Sequence, residues 1–246
     1  MFSRGKIGFA ACMILAACVI GRPAIAVSLQ AWPVLVQLSS KQSADELWLS
    51  NTGSVPLQAQ VRVYQWEQQD GRDVLAPTTE LAASPPMVSI GPGQRQMVRV
   101  IRVGVGAAPA STERSFRILV DEIPPAGQSG IQFALRYSIP VFVAGSAAEP
   151  SKPVLTWGVR RSGAAMVLQA SNAGNGYAQI TEASFKPQGA PEIMLSKGLY
   201  GYVLAGKVRD WGIDKYKQAF LKGGVLSLKV NRQAIHVSLP PMSSSH

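Results

Sequence analysis

Ile131-Gln132-Phe133-Ala134-Leu135-Arg136-Tyr137-Ser138-Ile139-Pro140-Val141 places a large apolar side chain at every second position across eleven residues. Period-two spacing is the signature of a β-strand with one buried face, because successive side chains point to opposite sides of the backbone. At about 3.3 Å per residue the row would run for ~36 Å, well beyond the usual strand of five or six residues. Such a strand is either a central strand of a sandwich or an edge left open for another chain. A long apolar edge invites pairing and is normally blunted. An edge kept open lends main-chain hydrogen bonds and alternate side chains to its partner. Periodicity leaves both readings open.

The same alternation surrounds this row. Leu57, Ala59, Val61 and Val63 alternate with Gln58, Gln60, Arg62 and Tyr64, and Phe116, Ile118 and Val120 with Ser115, Arg117 and Leu119. Turn-forming residues separate the runs: Asn51-Thr52-Gly53, Asp70-Gly71, Gly91-Pro92-Gly93 and Pro124-Pro125-Ala126-Gly127. Short strands at this spacing, without long helical periodicity, predict an all-β sandwich or barrel. The pattern breaks at Ala144-Gly145-Ser146-Ala147-Ala148-Glu149-Pro150, the expected linker. Beyond it shorter strands are expected at 154–159, 166–171, 177–185, 225–230 and 235–239, with a hairpin at Asn172-Ala173-Gly174-Asn175-Gly176. The expected organisation is a leader 1–26, a first domain 27–146, a second domain 147–241 and a tail 242–246.

The leader reading rests on Arg4 and Lys6, the apolar run Ile7 to Ile20, and the small-x-small site Ala24-Ile25-Ala26. A lipoprotein box at Leu15-Ala16-Ala17-Cys18 is the competing reading. Both cysteines, Cys12 and Cys18, precede the expected mature start at Val27, so the exported chain would hold no disulfide and rely on its core. The net charge is +10, and removing the leader leaves 21 basic against 14 acidic residues, or +7. The basic residues are scattered singly rather than clustered, which predicts no nucleic-acid binding.

Nothing in the sequence assembles a catalytic site. The histidines are His236, in a strand-like run, and His246 at the terminus, with no metal-ligand spacing and no G-x-S-x-G elbow. Gly91-Pro92-Gly93 and Gly104-Val105-Gly106 lack the strand-loop-helix setting and lysine of a phosphate loop, so no nucleotide is expected. Asp121 and Glu122 are adjacent and would face opposite sides of a strand. No enzyme activity, metal or cofactor is expected.

The segments Ser115 to Pro124 and Phe133 to Phe142 resemble the last two strands of the first domain of periplasmic pilus chaperones, the carriers of chaperone–usher secretion. Leu49-Ser50-Asn51-Thr52-Gly53, Ser84-Pro85-Pro86 with Ile90-Gly91-Pro92-Gly93-Gln94, and Tyr202 to Trp211 fit the same family. The resemblance implies two tandem immunoglobulin-like β-sandwich domains. It implies pilus subunits and an outer-membrane usher as partners. It also implies that the strand carrying Ile131, Phe133, Leu135, Tyr137 and Ile139 fills the open groove of an incomplete subunit, with Ile131, Phe133 and Leu135 as plugs. Each plug fully buried would contribute roughly 1.5–3 kcal/mol. The alternative is an exported structural or adhesive immunoglobulin-like protein.

One departure stands out. The family's usual carboxylate-holding arginine and lysine align with Pro33 and Pro140, which points to the archaic or alternative branch. A subunit carboxylate still requires a cation, ideally an arginine fork. Arg117, on the neighbouring strand, and Arg136, on the donor strand itself, are the candidates.

Overall fold

The computed structural model describes residues 29–104, 111–124, 134–146 and 151–242. The expected leader with Cys12 and Cys18, the plugs Ile131 and Phe133, and His246 lie outside the described residues.

Ten strands build the first domain: β1 Leu29–Trp32, β2 Val36–Leu38, β3 Ala44–Asn51, β4 Leu57–Gln69, β5 Arg72–Pro77, β6 Leu81–Ser84, β7 Met87–Ile90, β8 Arg95–Arg102, β9 Arg114–Ile123 and β10 Arg136–Val143. One sheet runs β1-β3-β8-β6 and the other β2-β10-β9-β4-β5, with β7 also pairing β4. The alternating apolar positions close between them. Leu47 and Leu49 of β3, Ala59 and Val61 of β4, Val98 and Val100 of β8, Phe116, Ile118 and Val120 of β9, and Ile139 and Val141 of β10 share one core. The register sets Ile118 opposite both Val63 and Ile139, so three central strands present their apolar rows to the same face.

The second domain contains β11 Leu155–Ser162, β12 Ala165–Asn172, β13 Ala178–Pro187, β14 Ile193–Met194, β15 Leu199–Val203, β16 Val208–Gly212, a short helix α1 Lys217–Leu221, β17 Gly224–Val230 and β18 Gln233–Leu239. Its sheets run β11-β12-β16 and β14-β13-β17-β18, with β15 also on β13. Both sandwiches use the same corner. Asn51 donates to the Val55 and Ile90 carbonyls at 2.7 and 2.9 Å and accepts from Gly53 N–H at 2.9 Å. Asn172 donates to the Gly176 carbonyl at 2.8 Å and accepts from Gly174 N–H at 3.0 Å. A buried carboxamide thus satisfies main-chain groups where each chain leaves a sheet. The helix α1 was not anticipated, since five residues are too few to show a 3.6 period. Its Phe220 stacks on Phe185 with ring centroids 3.9 Å apart, which fixes it on the second core.

The long donor row is corrected in one respect. Among the described residues the strand starts at Arg136 and spans eight residues to Val143, while Ile131 lies outside them. The cause is its neighbour: β9 ends at Ile123, before Pro124, so the last ladder bond is Glu122 N–H to the Leu135 carbonyl at 2.9 Å. Proline cannot continue the ladder as a donor. The interval between β10 and β11 contains the expected linker, and we propose the boundary within it at 146/147.

Because Ile118 is fully buried between two strands, Ile118→Ala should cost about 2–5 kcal/mol in urea unfolding. Arg136→Ala, on the solvent face, should change stability by less than about 1 kcal/mol.

Candidate functional site at an open strand edge and interdomain cleft

The feature that distinguishes β10 is an unequal pair of edges. On one side it pairs with β9 along its whole length, Arg136 to Val143. On the other, β2 covers only Val141 to Val143, in parallel. Among the described residues no strand pairs with the outer edge of Arg136 to Pro140. Antiparallel pairs alternate between bonded and unbonded. Since Leu135 and Glu122 are a bonded pair, Tyr137 and Ile139 turn their main-chain groups to β9, while Arg136 and Ser138 turn theirs outward. Pro140 has no N–H to offer.

The side chains of this row divide by position. Ile139 is 2% exposed within the domain's own core, which removes it from the set of subunit-facing residues expected from the sequence. Tyr137 is half-buried against that core and its hydroxyl donates to the Leu29 carbonyl at 2.8 Å, so it closes the core's end. Leu135 is half-buried at the margin. Nearby in the chain, the crossing from β1 to β2 leaves Trp32 70% and Val34 66% exposed.

The opposite face of β10 carries Arg136, Ser138, Pro140 and Phe142. Arg136 forms an ion pair with Asp121, which also pairs with Arg62. Burial works to raise the pKa of Asp121, but the hydrogen bonds from Arg62 and Arg136 outweigh it and hold the carboxyl below its usual range. Arg117, opposite Pro140 in the register, is placed differently. Its guanidinium lies 3.7 Å from the centroid of the Trp66 ring and 5.4 Å from that of Tyr202, and it donates to the Ser138 carbonyl at 3.2 Å. It has no ion-pair partner among the described residues. Burial lowers its pKa, opposed by Tyr202 and Asp73, yet an arginine stays charged at neutral pH. Of the two expected candidates, Arg136 has its charge matched and Arg117 does not.

The rings around Arg117 come from both domains. Trp66 of β4, Phe142 of β10, Tyr202 of β15 and Leu204 form a buried cluster against which Leu35 and Tyr177 pack. Phe142 stacks on Tyr177 at 3.7 Å, and Trp66 meets Tyr202 edge-on at 5.3 Å. These residues were not singled out from the sequence. The available signal was phase: Trp66 and Phe142 are large aromatics on the solvent phase of strands whose other phase fills the core. On the far side of the cluster a cleft of about 420 Å³ is lined by Gln37, Glu113, Tyr177, Gln179, Asn231 and Arg232. Glu113 accepts the Tyr177 N–H at 2.9 Å, but burial dominates and pushes its pKa up to about 7.

His236 lies exposed on β18 with Nδ1 2.9 Å from Ser227 Oγ, a cross-strand pair. No cluster of three His, Cys, Asp or Glu side chains able to hold a metal occurs among the described residues.

Glu113 gives a pH dependence with a definite sign. Its raised folded pKa, about 7 against 4.5, means that the folded state holds the proton more tightly. The contribution of Glu113 to stability is therefore greatest below pH 4.5 and declines as the pH rises to about 7. The loss is up to about 3 kcal/mol. Glu113→Gln should flatten this part of the stability–pH curve measured by urea unfolding.

A sequence profile described as the pili and flagellar-assembly chaperone, PapD N-terminal domain, matches residues 28–148. Chaperone protein PmfD of Proteus mirabilis strain HI4320 is 31% identical over 126 residues, covering 50% of this chain and 47% of that one, so the match spans about half the length of that relative. A chain of the crystal structure of the CsuC–CsuE chaperone–tip adhesion subunit pre-assembly complex, from archaic chaperone-usher Csu pili of Acinetobacter baumannii, superposes with a TM-score of 0.70. It is 27% identical, covering 88% of this chain and all of that one. The Pseudomonas aeruginosa CupB2 chaperone shares the fold at a TM-score of 0.59 and 17% identity, covering 87% of this chain and all of the other. An N-terminal sandwich matched by the family profile, followed by the second sandwich of the solved chaperones, makes this chain a member of the PapD-like pilus-chaperone family.

Proposed function

We propose that this protein is a periplasmic, non-enzymatic chaperone that caps pilus subunits by lending them a strand and passes them to an outer-membrane usher. The observation that carries this reading is the unpaired edge of Arg136 to Pro140, on a strand whose apolar row runs out of the domain's own core. A subunit lacking its last strand exposes both a hydrogen-bonding edge and an apolar groove. The outward main-chain groups of Arg136 and the outward N–H of Ser138 answer the first. Leu135, with Ile131 and Phe133 continuing the same phase, answers the second. Tyr137 and Ile139 support the row from within rather than entering the subunit. Release occurs by exchange for another strand, so no nucleotide is consumed.

Arg117 is the proposed holder of the subunit's terminal carboxylate. It has no ion-pair partner among the described residues, its guanidinium packs on the Trp66 ring with Tyr202 beside it, which adds cation–π attraction, and it lies opposite Pro140 on the strand that pairs with β10. Arg136 is the weaker candidate because Asp121 already takes its charge. Prolines at positions 33 and 140, together with the likeness to an archaic Csu complex, favour the archaic branch. Residues 1–26 would direct export. Two sandwiches with separate cores argue against an incomplete fibre subunit.

Co-expression with secreted subunits and affinity recovery tests this. Leu135→Asp and Phe133→Asp should each reduce recovered complex at least tenfold while the melting temperature of the free chaperone stays within a few degrees, and full recovery would overturn the strand-lending reading. Arg117→Ala should lower recovery roughly 10- to 100-fold, the scale of a charge-assisted hydrogen bond, and more than Arg136→Ala does. Equal effects would remove Arg117 from the role.

A further inference from the structure

Gln68 is a polar side chain in a place that calls for an apolar one. It follows Trp66 on the outer phase of β4, where a side chain should meet solvent, yet it is 4% exposed. The second domain covers it. Its Nε2 donates to the Tyr202 carbonyl at 2.8 Å and to Asp73 Oδ1 at 2.9 Å, and its Oε1 accepts the Leu204 N–H at 3.0 Å. The carboxamide therefore pairs with the backbone on both sides of Val203 as a neighbouring strand would. Nothing in it is left unsatisfied, so its burial carries little penalty. Asp73 ties this arrangement to the rings, since Oδ1 also accepts Trp66 Nε1–H at 3.1 Å.

A second contact holds the same segment from the other end. The turn between β4 and β5 reaches β16, where the Gly71 carbonyl accepts from Asp210 N–H at 2.9 Å and from Arg209 Nη1 at 3.1 Å. Gly71 has φ +73°, and a Cβ there would stand 2.4 Å from the Asp210 side chain, so only glycine fits this approach. The two contacts bracket the β15–β16 turn and fix where Tyr202 sits relative to the first domain.

We infer that Gln68 is a positioning residue for the carboxylate-binding cleft: by pairing with the Tyr202–Leu204 backbone it holds the second domain's Tyr202 ring beside the first domain's Arg117. The inference rests on the reading that Arg117 takes a carboxylate. Trp66 and Arg117 belong to one sandwich and keep their relation whatever the second does, whereas Tyr202 keeps its place only through the junction. Without Gln68 the junction loses a donor and an acceptor together, and the place of the ring beside the guanidinium is left to the Gly71–Asp210 contact and the ring contacts alone.

The probe is a fifteen-residue peptide of alternating valine and threonine, prepared with a free C-terminal carboxylate and as the amide. Binding to the full chaperone and its variants is measured by isothermal titration. The wild type should prefer the free acid roughly tenfold or more. Arg117→Ala should abolish the preference, and Gln68→Leu should reduce it severalfold while weakening the amide form much less. A loss confined to general stability would weaken both peptides alike. Tyr202→Leu, which keeps the backbone pairing of Gln68 but removes the ring, should reduce the preference as Gln68→Leu does, and it serves if Gln68→Leu does not fold. If the wild type shows no preference, or Arg117→Ala retains it, the carboxylate reading fails and takes this inference with it. If Arg117→Ala loses the preference while either Gln68→Leu or Tyr202→Leu keeps it, the positioning role of Gln68 alone is refuted.

Discussion

A β-strand carries hydrogen-bonding groups along two edges, and over Arg136 to Pro140 only one edge of β10 is paired with another strand within the described chain. The rest of the first domain is arranged around that inequality. β2 covers the last three residues of β10 and stops. β9 ends at Ile123, so β10 loses its inner partner as its side-chain row leaves the core. Tyr137 then closes the core's end through its bond to Leu29, with Ile139 buried behind it. An open edge of this kind would ordinarily promote self-association. The Arg62–Asp121–Arg136 charge cluster on the adjoining face and Pro140 in the strand are devices that discourage it.

The arginines near this strand show how local partners decide function. Arg136 and Arg62 share Asp121, so their charge is spent within the sheet. Arg117 packs instead on Trp66 and Tyr202. Aromatic faces hold a guanidinium in place through its flat sides and leave donors at its rim for a carboxylate. The aromatic cluster that does this is also the seam between domains. The placement of Arg117 and the docking of the second sandwich are therefore one problem rather than two.

Much of this was legible in the residues. Period two predicted the strands and Asn51-Thr52-Gly53 a turn, but the hairpin expected at Asn172-Ala173-Gly174-Asn175-Gly176 is instead a crossing between sheets, because β12 pairs with β11 and β16 while β13 pairs with β14, β15 and β17. The alternation of Ile131 to Val141 could not say where the domain's own core ended. Ile139 and Leu135 occupy the same phase, and only the positions of β9 and β2 distinguish a buried residue from one at the margin. The sequence put Arg117 ahead of Arg136 only for its place on the neighbouring strand, since the pairing of Asp121 with Arg136 depends on register. Gln68 and Tyr202 lie 134 positions apart, and their contact has no local signature. Helix α1 was missed because its stability comes from Phe220 packing on Phe185, not from any pattern within its five residues.

Hydrogen exchange at single-residue resolution tests the open edge most directly, comparing the free chaperone with its subunit complex. The main-chain amides of Tyr137 and Ile139, which face β9, should be protected in both states. Those of Arg136 and Ser138 should exchange quickly in the free protein and become protected in the complex. Protection of Arg136 and Ser138 in the free monomer, or their continued rapid exchange when a subunit is bound, would contradict the account.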